Sequence, residues 1–173
     1  MSIRKILTEP DPFLRQKSVE VDFVNDETRK LMDDMLDTMY AAPGIGLAAI
    51  QIGVPKRVIV IDISKEEEKK PFYFINPKII FKSNNNSTYE EGCLSVPGQF
   101  AEIDRPNQCH VEYLDYYGHK KELKIEGLMA TCIQHEMGHL EGILFIDYLS
   151  KLKKSFIVKK LSKQKKSLER IVV

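Results

Sequence analysis

Between Thr131 and Gly142 the chain reads Thr-Cys-Ile-Gln-His-Glu-Met-Gly-His-Leu-Glu-Gly, and no other stretch restricts the fold as much. Residues i and i+4 of a helix lie one above the other, so a helical segment lets His135 and His139 offer both imidazoles to one cation, with Glu136 beside them. That is the pattern of a centre that activates water. Two ligands are not enough, since a catalytic ion takes three protein ligands and keeps one position open.

The third ligand is not close in sequence. Six residues beyond His139 stands Phe145, and neither Asp147 nor Glu169 has a familiar ligand spacing. Cys132 shares the helix face but lies seven residues from His139, about 10.5 Å along the axis. A sulfur and an imidazole would have to stretch almost collinearly to meet, so Cys132 reads as a pocket wall. The remaining candidate is Cys93, in Tyr89-Glu90-Glu91-Gly92-Cys93-Leu94-Ser95-Val96-Pro97-Gly98. Gly92 and Pro97-Gly98 predict a bend that presents its sulfur from a loop. A lone cysteine is also an ordinary small core residue, and the local sequence leaves both readings open.

Three blocks occur in order: Gly44-Ile45-Gly46-Leu47-Ala48-Ala49-Ile50-Gln51-Ile52-Gly53, Glu91-Gly92-Cys93-Leu94-Ser95 and Gln134-His135-Glu136-Met137-Gly138-His139. They resemble the signature motifs of peptide deformylases, and the flanking sequence extends the resemblance over nearly the whole chain. The resemblance implies a hydrolase that removes the N-formyl group from the formylmethionine of nascent polypeptides and releases formate. It implies Cys93, His135 and His139 as ligands of one ferrous ion per chain, replaceable by nickel, cobalt or zinc. By the same resemblance Glu136 is the catalytic carboxylate, and Gln51 and the Leu94 backbone N–H serve the developing oxyanion. Ile45, Gly46, Tyr89, Glu91, Leu128, Thr131 and Cys132 become the substrate-binding residues. Two positions depart from the family pattern: Gly138 stands where Asp is usual and Ile50 where Pro or Thr is common. The first implies altered metal retention or stability.

A zinc peptidase using the same helix is the competing enzyme reading, and it would call for a His or Glu as third ligand. A structural metal module with an RNA-binding tail would need a fourth protein ligand, leave no open position and have no need of the Glu136 carboxylate.

A length of 173 residues suits one domain, 1–173, with a sizeable core. The net charge of +1 hides a division: residues 151–173 carry nine Lys/Arg against Glu169, a balance of +8, which leaves −7 on the first 150. Residues 147–173 therefore form a basic C-terminal helix or tail, expected either as a solvated face or as a surface for RNA; the resemblance to bacterial deformylases implies docking at the ribosome near the nascent-chain exit. Cys93, Cys109 and Cys132 cannot all pair. With no signal-like segment after Met1-Ser2-Ile3-Arg4-Lys5 and no apolar run that would span a bilayer, the expectation is a cytoplasmic monomer without membrane contact.

Asn25-Asp26 predicts a helix start, and Leu31, Met32, Met35, Leu36 and Met39 form an apolar stripe that Pro43-Gly44 ends. Strands are expected at 57–63, 72–75, 78–81, 109–116 and 121–125. Residues 65–70 read as a charged loop, 83–87 as a turn, and Tyr116-Tyr117-Gly118-His119 as a hairpin bend with His119 exposed. The last helix is expected to carry an apolar row at Leu149, Leu152 and Phe156. Short strands around one internal helix define an α+β fold with largely antiparallel sheets.

Overall fold

A computed structural model describes residues 2–65 and 67–171. Met1, Glu66, Val172 and Val173, which fall in the expected N-terminal segment, charged loop and tail, lie outside the described residues. The expected α+β architecture is present, with every strand pair antiparallel.

The apolar run near residue 60 forms β2 (Val58–Ile61), which is buried at all four positions. Alternate side chains leave a strand on opposite faces, and here each face meets its own core. Val58 and Val60 pack with Met32, Met35 and Met39 of α1 (Asp26–Ala41), while Ile59 and Ile61 pack with Ala130 and Ile133 of α2 (Gly127–Leu140). Full burial of such side chains contributes about 1.5–3 kcal/mol each. Four more strands complete this sheet: β1 (Gly46–Ala48), β3 (Phe72–Lys82), β6 (Gln108–Leu114) and β7 (Lys120–Glu126). The order is β1-β2-β3-β6-β7, so β1 is an edge. β4 (Asn86–Cys93) and β5 (Val96–Pro106) form a separate hairpin.

Helix α1 starts as expected: the Asn25 carboxamide oxygen accepts the Thr28 N–H at 2.9 Å. On its flank Asp34 is fully buried and accepts hydrogen bonds from the Ser2 amide, Arg4 and Lys30 at 2.8–3.0 Å. These bonds lay the first residues of the chain across the helix. Burial opposes the charge of Asp34, but Lys30, the Ser2 amide and Arg4 outweigh it and hold the carboxyl well below its usual range.

Several expected boundaries move. Residues 72–75 and 78–81 belong to the single strand β3, interrupted at Asn76-Pro77 by a register shift. Asn76 takes a φ of +50° there and exchanges two 2.8 Å bonds with the Val21 backbone. The hairpin β4–β5 was not expected, and the predicted turn at 83–87 overlaps the start of β4. Its residues include Asn, Glu and Gly, which are poor in intrinsic strand preference. The bend at Tyr116–His119 does join β6 to β7, with His119 exposed.

The last helix, α3 (Lys151–Ile171), corrects another expectation. Leu152 and Phe156 are 81% and 70% exposed, whereas Ile157 and Leu161 are buried with Leu144, Phe145 and Val96. Leu149 lies before the helix, at the cap of the short 3-10 turn Phe145–Tyr148, so a row phased on it points the wrong way. No described helix is long and apolar enough to cross a membrane.

Candidate metal centre and its cleft

Helix α2 is buried around most of its circumference, including Ala130, Thr131, Ile133, Gln134, Glu136 and His139. Its side chains therefore face neighbouring elements on several sides at once. The Gln134 carboxamide donates to the Pro106 carbonyl at 2.9 Å and ties the helix to the end of β5. From the next residue, His135, and from His139 one turn beyond it, the imidazoles project toward Cys93, and the donor atoms of all three lie within 4.8 Å of one another. His139 Nε2 is 3.3 Å from Cys93 Sγ.

The sulfur reaches this point differently from the expected loop. Cys93 ends β4, opposite Val96 of β5, and Leu94-Ser95 forms the two-residue turn between them. The pairing register shifts at Gly92/Cys93, which re-aims the cysteine. A thiolate with two imidazoles is the donor set of a zinc- or iron-type centre, and three ligands leave a coordination position free. The residues fit a metal ion.

The surroundings orient the donors. Glu91 makes a buried double hydrogen bond with Arg105, at 2.5 and 3.0 Å, and accepts from His135 Nδ1 at 2.8 Å. That bond fixes the ring and turns Nε2 toward the centre. Phe145 stacks on the same ring at 6.1 Å. Burial opposes protonation of His135, but Cys93 and Glu91 outweigh it and push its pKa up to about 10, a pull that a divalent ion exploits in competition with the proton. Burial pulls the pKa of His139 well below its usual value, and His135 and two arginines add to this, so His139 is a neutral lone-pair donor. Its Nδ1 has no hydrogen-bond partner among the described residues.

Glu136 is buried beside the donors, and one carboxylate oxygen has no partner among the described residues. Burial, with Glu91 adding and His135 opposing, pushes its pKa up to about 7. Gly46 is a glycine for a steric reason: a Cβ there would stand 2.5 Å from Glu136 Oε1. Burial and the nearby Glu136 charge push Cys132 up to about 12, which keeps it a neutral thiol in the wall.

A cleft of about 460 Å³ opens over the centre. Ile45, Gly46, Gln51, Tyr89, Glu91, Cys93, Leu94, Leu128, Thr131, Cys132, His135 and Glu136 all line it, and His139 lies fully buried behind. Glu91 borders the cleft, but its carboxylate is engaged by Arg105 and His135. The Gln51 carboxamide oxygen accepts from the Ala48 N–H at 2.9 Å; its nitrogen donates to Ser95 Oγ at 3.0 Å and lies 3.6 Å from Cys93 Sγ. Sequence reasoning missed Arg105, Ser95 and Phe100. Only Arg105 had a readable signal, the inward alternation Ala101, Ile103, Arg105 along β5.

Fold and centre together define a metal-dependent hydrolase of the His-Glu-x-x-His type. A family model described as polypeptide deformylase matches residues 3–155, and the chain belongs to that family. It is 71% identical to the peptide deformylase of Pelagibacter ubique over the full length of both proteins. The crystal structure of peptide deformylase from Ehrlichia chaffeensis superposes with a TM-score of 0.92 at 43% identity, covering 96% of this chain and 98% of the other. The same enzyme in complex with actinonin gives 0.91 at 46% identity, covering 95% and 98%. The reaction is removal of the N-formyl group from nascent polypeptides, and the competing peptidase reading loses its basis.

Proposed function

We propose that deformylation takes place at the mouth of the Cys93, His135 and His139 cluster, with Glu136 moving the proton. The observation that carries this reading is the convergence of three metal-type donors at an apolar cleft, beside a buried carboxylate with one oxygen that has no hydrogen-bond partner among the described residues. When bound, the ion supplies Lewis acidity and lowers the pKa of water. As a carboxylate, Glu136 takes the proton of the attacking water and delivers it to the departing amine, a task suited to a pKa near neutrality. As the formyl carbon becomes tetrahedral, the Gln51 carboxamide and the Leu94 backbone N–H receive the charge on its oxygen. Loss of one such donor costs about 3–4 kcal/mol of transition-state stabilisation.

The methionine side chain occupies the slot between Ile45, Tyr89, Leu128, Thr131 and Cys132, an unbranched apolar fit. Its backbone lies along Gly44 to Gly46, beside the edge strand β1. The ion is ferrous iron, one per chain, with nickel, cobalt or zinc able to replace it. Metal analysis of anaerobically purified protein, paired with formate release from formyl-Met-Ala-Ser, tests both statements; hydrolysis of the unformylated peptide instead would refute the reaction.

The basic face of α3 docks the monomeric enzyme on cytoplasmic ribosomes near the nascent-chain exit. Lys159, Lys160, Lys163, Lys165 and Lys166 are all exposed on it. Deleting the helix would uncover Leu144 and Phe145, so the clean test is replacement of these five lysines by Ser. Unchanged, salt-sensitive co-sedimentation with ribosomes would refute the docking.

A further inference from the structure

The cleft does not end at its rim. Phe100 of β5 lines it and also forms the near wall of an open apolar groove between β5 and α3, continued by Leu149, Leu152, Phe156 and Ile157. Phe100, Leu152 and Phe156 are 65%, 81% and 70% exposed. Large apolar side chains gathered this way mark a contact surface. The ring of Phe100 lies on Gly92, so close that a Cβ there would stand 2.5 Å from it, and the groove thus leads straight to the strand that ends in Cys93.

We propose that this groove receives apolar side chains of the same polypeptide whose formylated end occupies the cleft, several residues downstream of the methionine. The inference rests on the deformylase reading of the cleft. An extended chain advances about 3.3 Å per residue, so a few residues carry it past Phe100 and onto α3. The substrate is a growing chain that has not yet buried its apolar residues, which suits an apolar groove. Lys153 and Glu102 border the groove with opposite charges, so it offers no field of one sign to a nucleic acid. Contacts this far from the formyl group are equally strong in ground and transition states and act on KM, leaving kcat alone.

The test uses formylated heptapeptides that begin Met-Ala-Ser and carry Ser or Leu at each later position, with formate release followed for the wild type and a Leu152→Ser/Phe156→Ser variant. Leu at one or two of these positions is expected to lower KM about fivefold in the wild type at unchanged kcat, the size of shielding about half a leucine side chain. The gain is expected to vanish in the variant, while both proteins turn over formyl-Met-Ala-Ser alike. If the double variant fails to fold, the two single variants carry the same comparison. Equal KM for all Leu and Ser peptides in the wild type, or a Leu gain that survives both substitutions, overturns the groove assignment. So does a gain seen with Asp in place of Leu that disappears in high salt. Failure of the wild type to release formate from the tripeptide would overturn the reading of the cleft instead.

Discussion

One oxygen of Glu136 has no hydrogen-bond partner among the described residues, so its chemistry and its placement can be separated by substitution. Glu136→Gln keeps the shape but cannot accept the proton; kcat for formate release is expected to fall about 10²–10⁴-fold, with metal content unchanged by elemental analysis. Gly46→Ala acts on the same carboxylate from across the cleft by forcing Oε1 aside. A shift of about 1 Å costs roughly 100-fold in rate, and a variant with wild-type kcat would show that Glu136 has room to spare. Arg105 touches no donor directly and works through Glu91 and His135. Arg105→Met is expected to weaken metal retention about 10–100-fold against a competing chelator. That Cys93, His135 and His139 come together was legible in the sequence, from the i, i+4 spacing and the signature blocks. The alternation Ala101, Ile103, Arg105 turns Arg105 inward, but its pairing with Glu91 was not legible, because the two face each other across a hairpin that local composition did not announce.

At the scale of elements, legibility followed how much of an element's preference is local. Helix α1 has a capping Asn25 and an apolar stripe, and both its ends were predicted. Strand β2 was readable because burial on both faces leaves an uninterrupted apolar run. β4 was not, since Ser87, Tyr89 and Glu91 alternate inward for the sake of the cleft and the Arg105 pair, which only the tertiary structure supplies. In α3 the side that packs is set by contact with Leu144 and Phe145, and the exposed row looked just as apolar in sequence. Ile157→Ala is therefore expected to lower unfolding free energy by about 2–4 kcal/mol in urea titrations. Leu152→Ala is expected to change it by no more than about 0.5 kcal/mol. Similar losses for both would mean that α3 packs through the face described as exposed.

For the molecule as a whole, Asp34 couples the first residues to α1 and makes stability depend on pH. Its folded pKa lies below the value near 3.9 expected of an unfolded Asp. The stabilisation is thus complete above that unfolded value and is lost as pH falls through the folded one. Asp34→Asn is expected to be less stable than the wild type near pH 6, and the difference in urea midpoint should narrow steadily below about pH 4. A difference independent of pH would assign the loss to packing alone.

The donors of the centre come from two bodies, the hairpin at Cys93 and helix α2 at His139, 46 positions apart in sequence. An ion shared between them would work as a clasp as well as a reagent, since it could bind only while hairpin and helix stay docked. With free ion about 100-fold above its dissociation constant, the holo form should melt on the order of 5–10 °C above the stripped one. An enzyme that loses its metal would thereby lose part of what shuts it, and damage to the thiolate would surface first as looseness between the two halves.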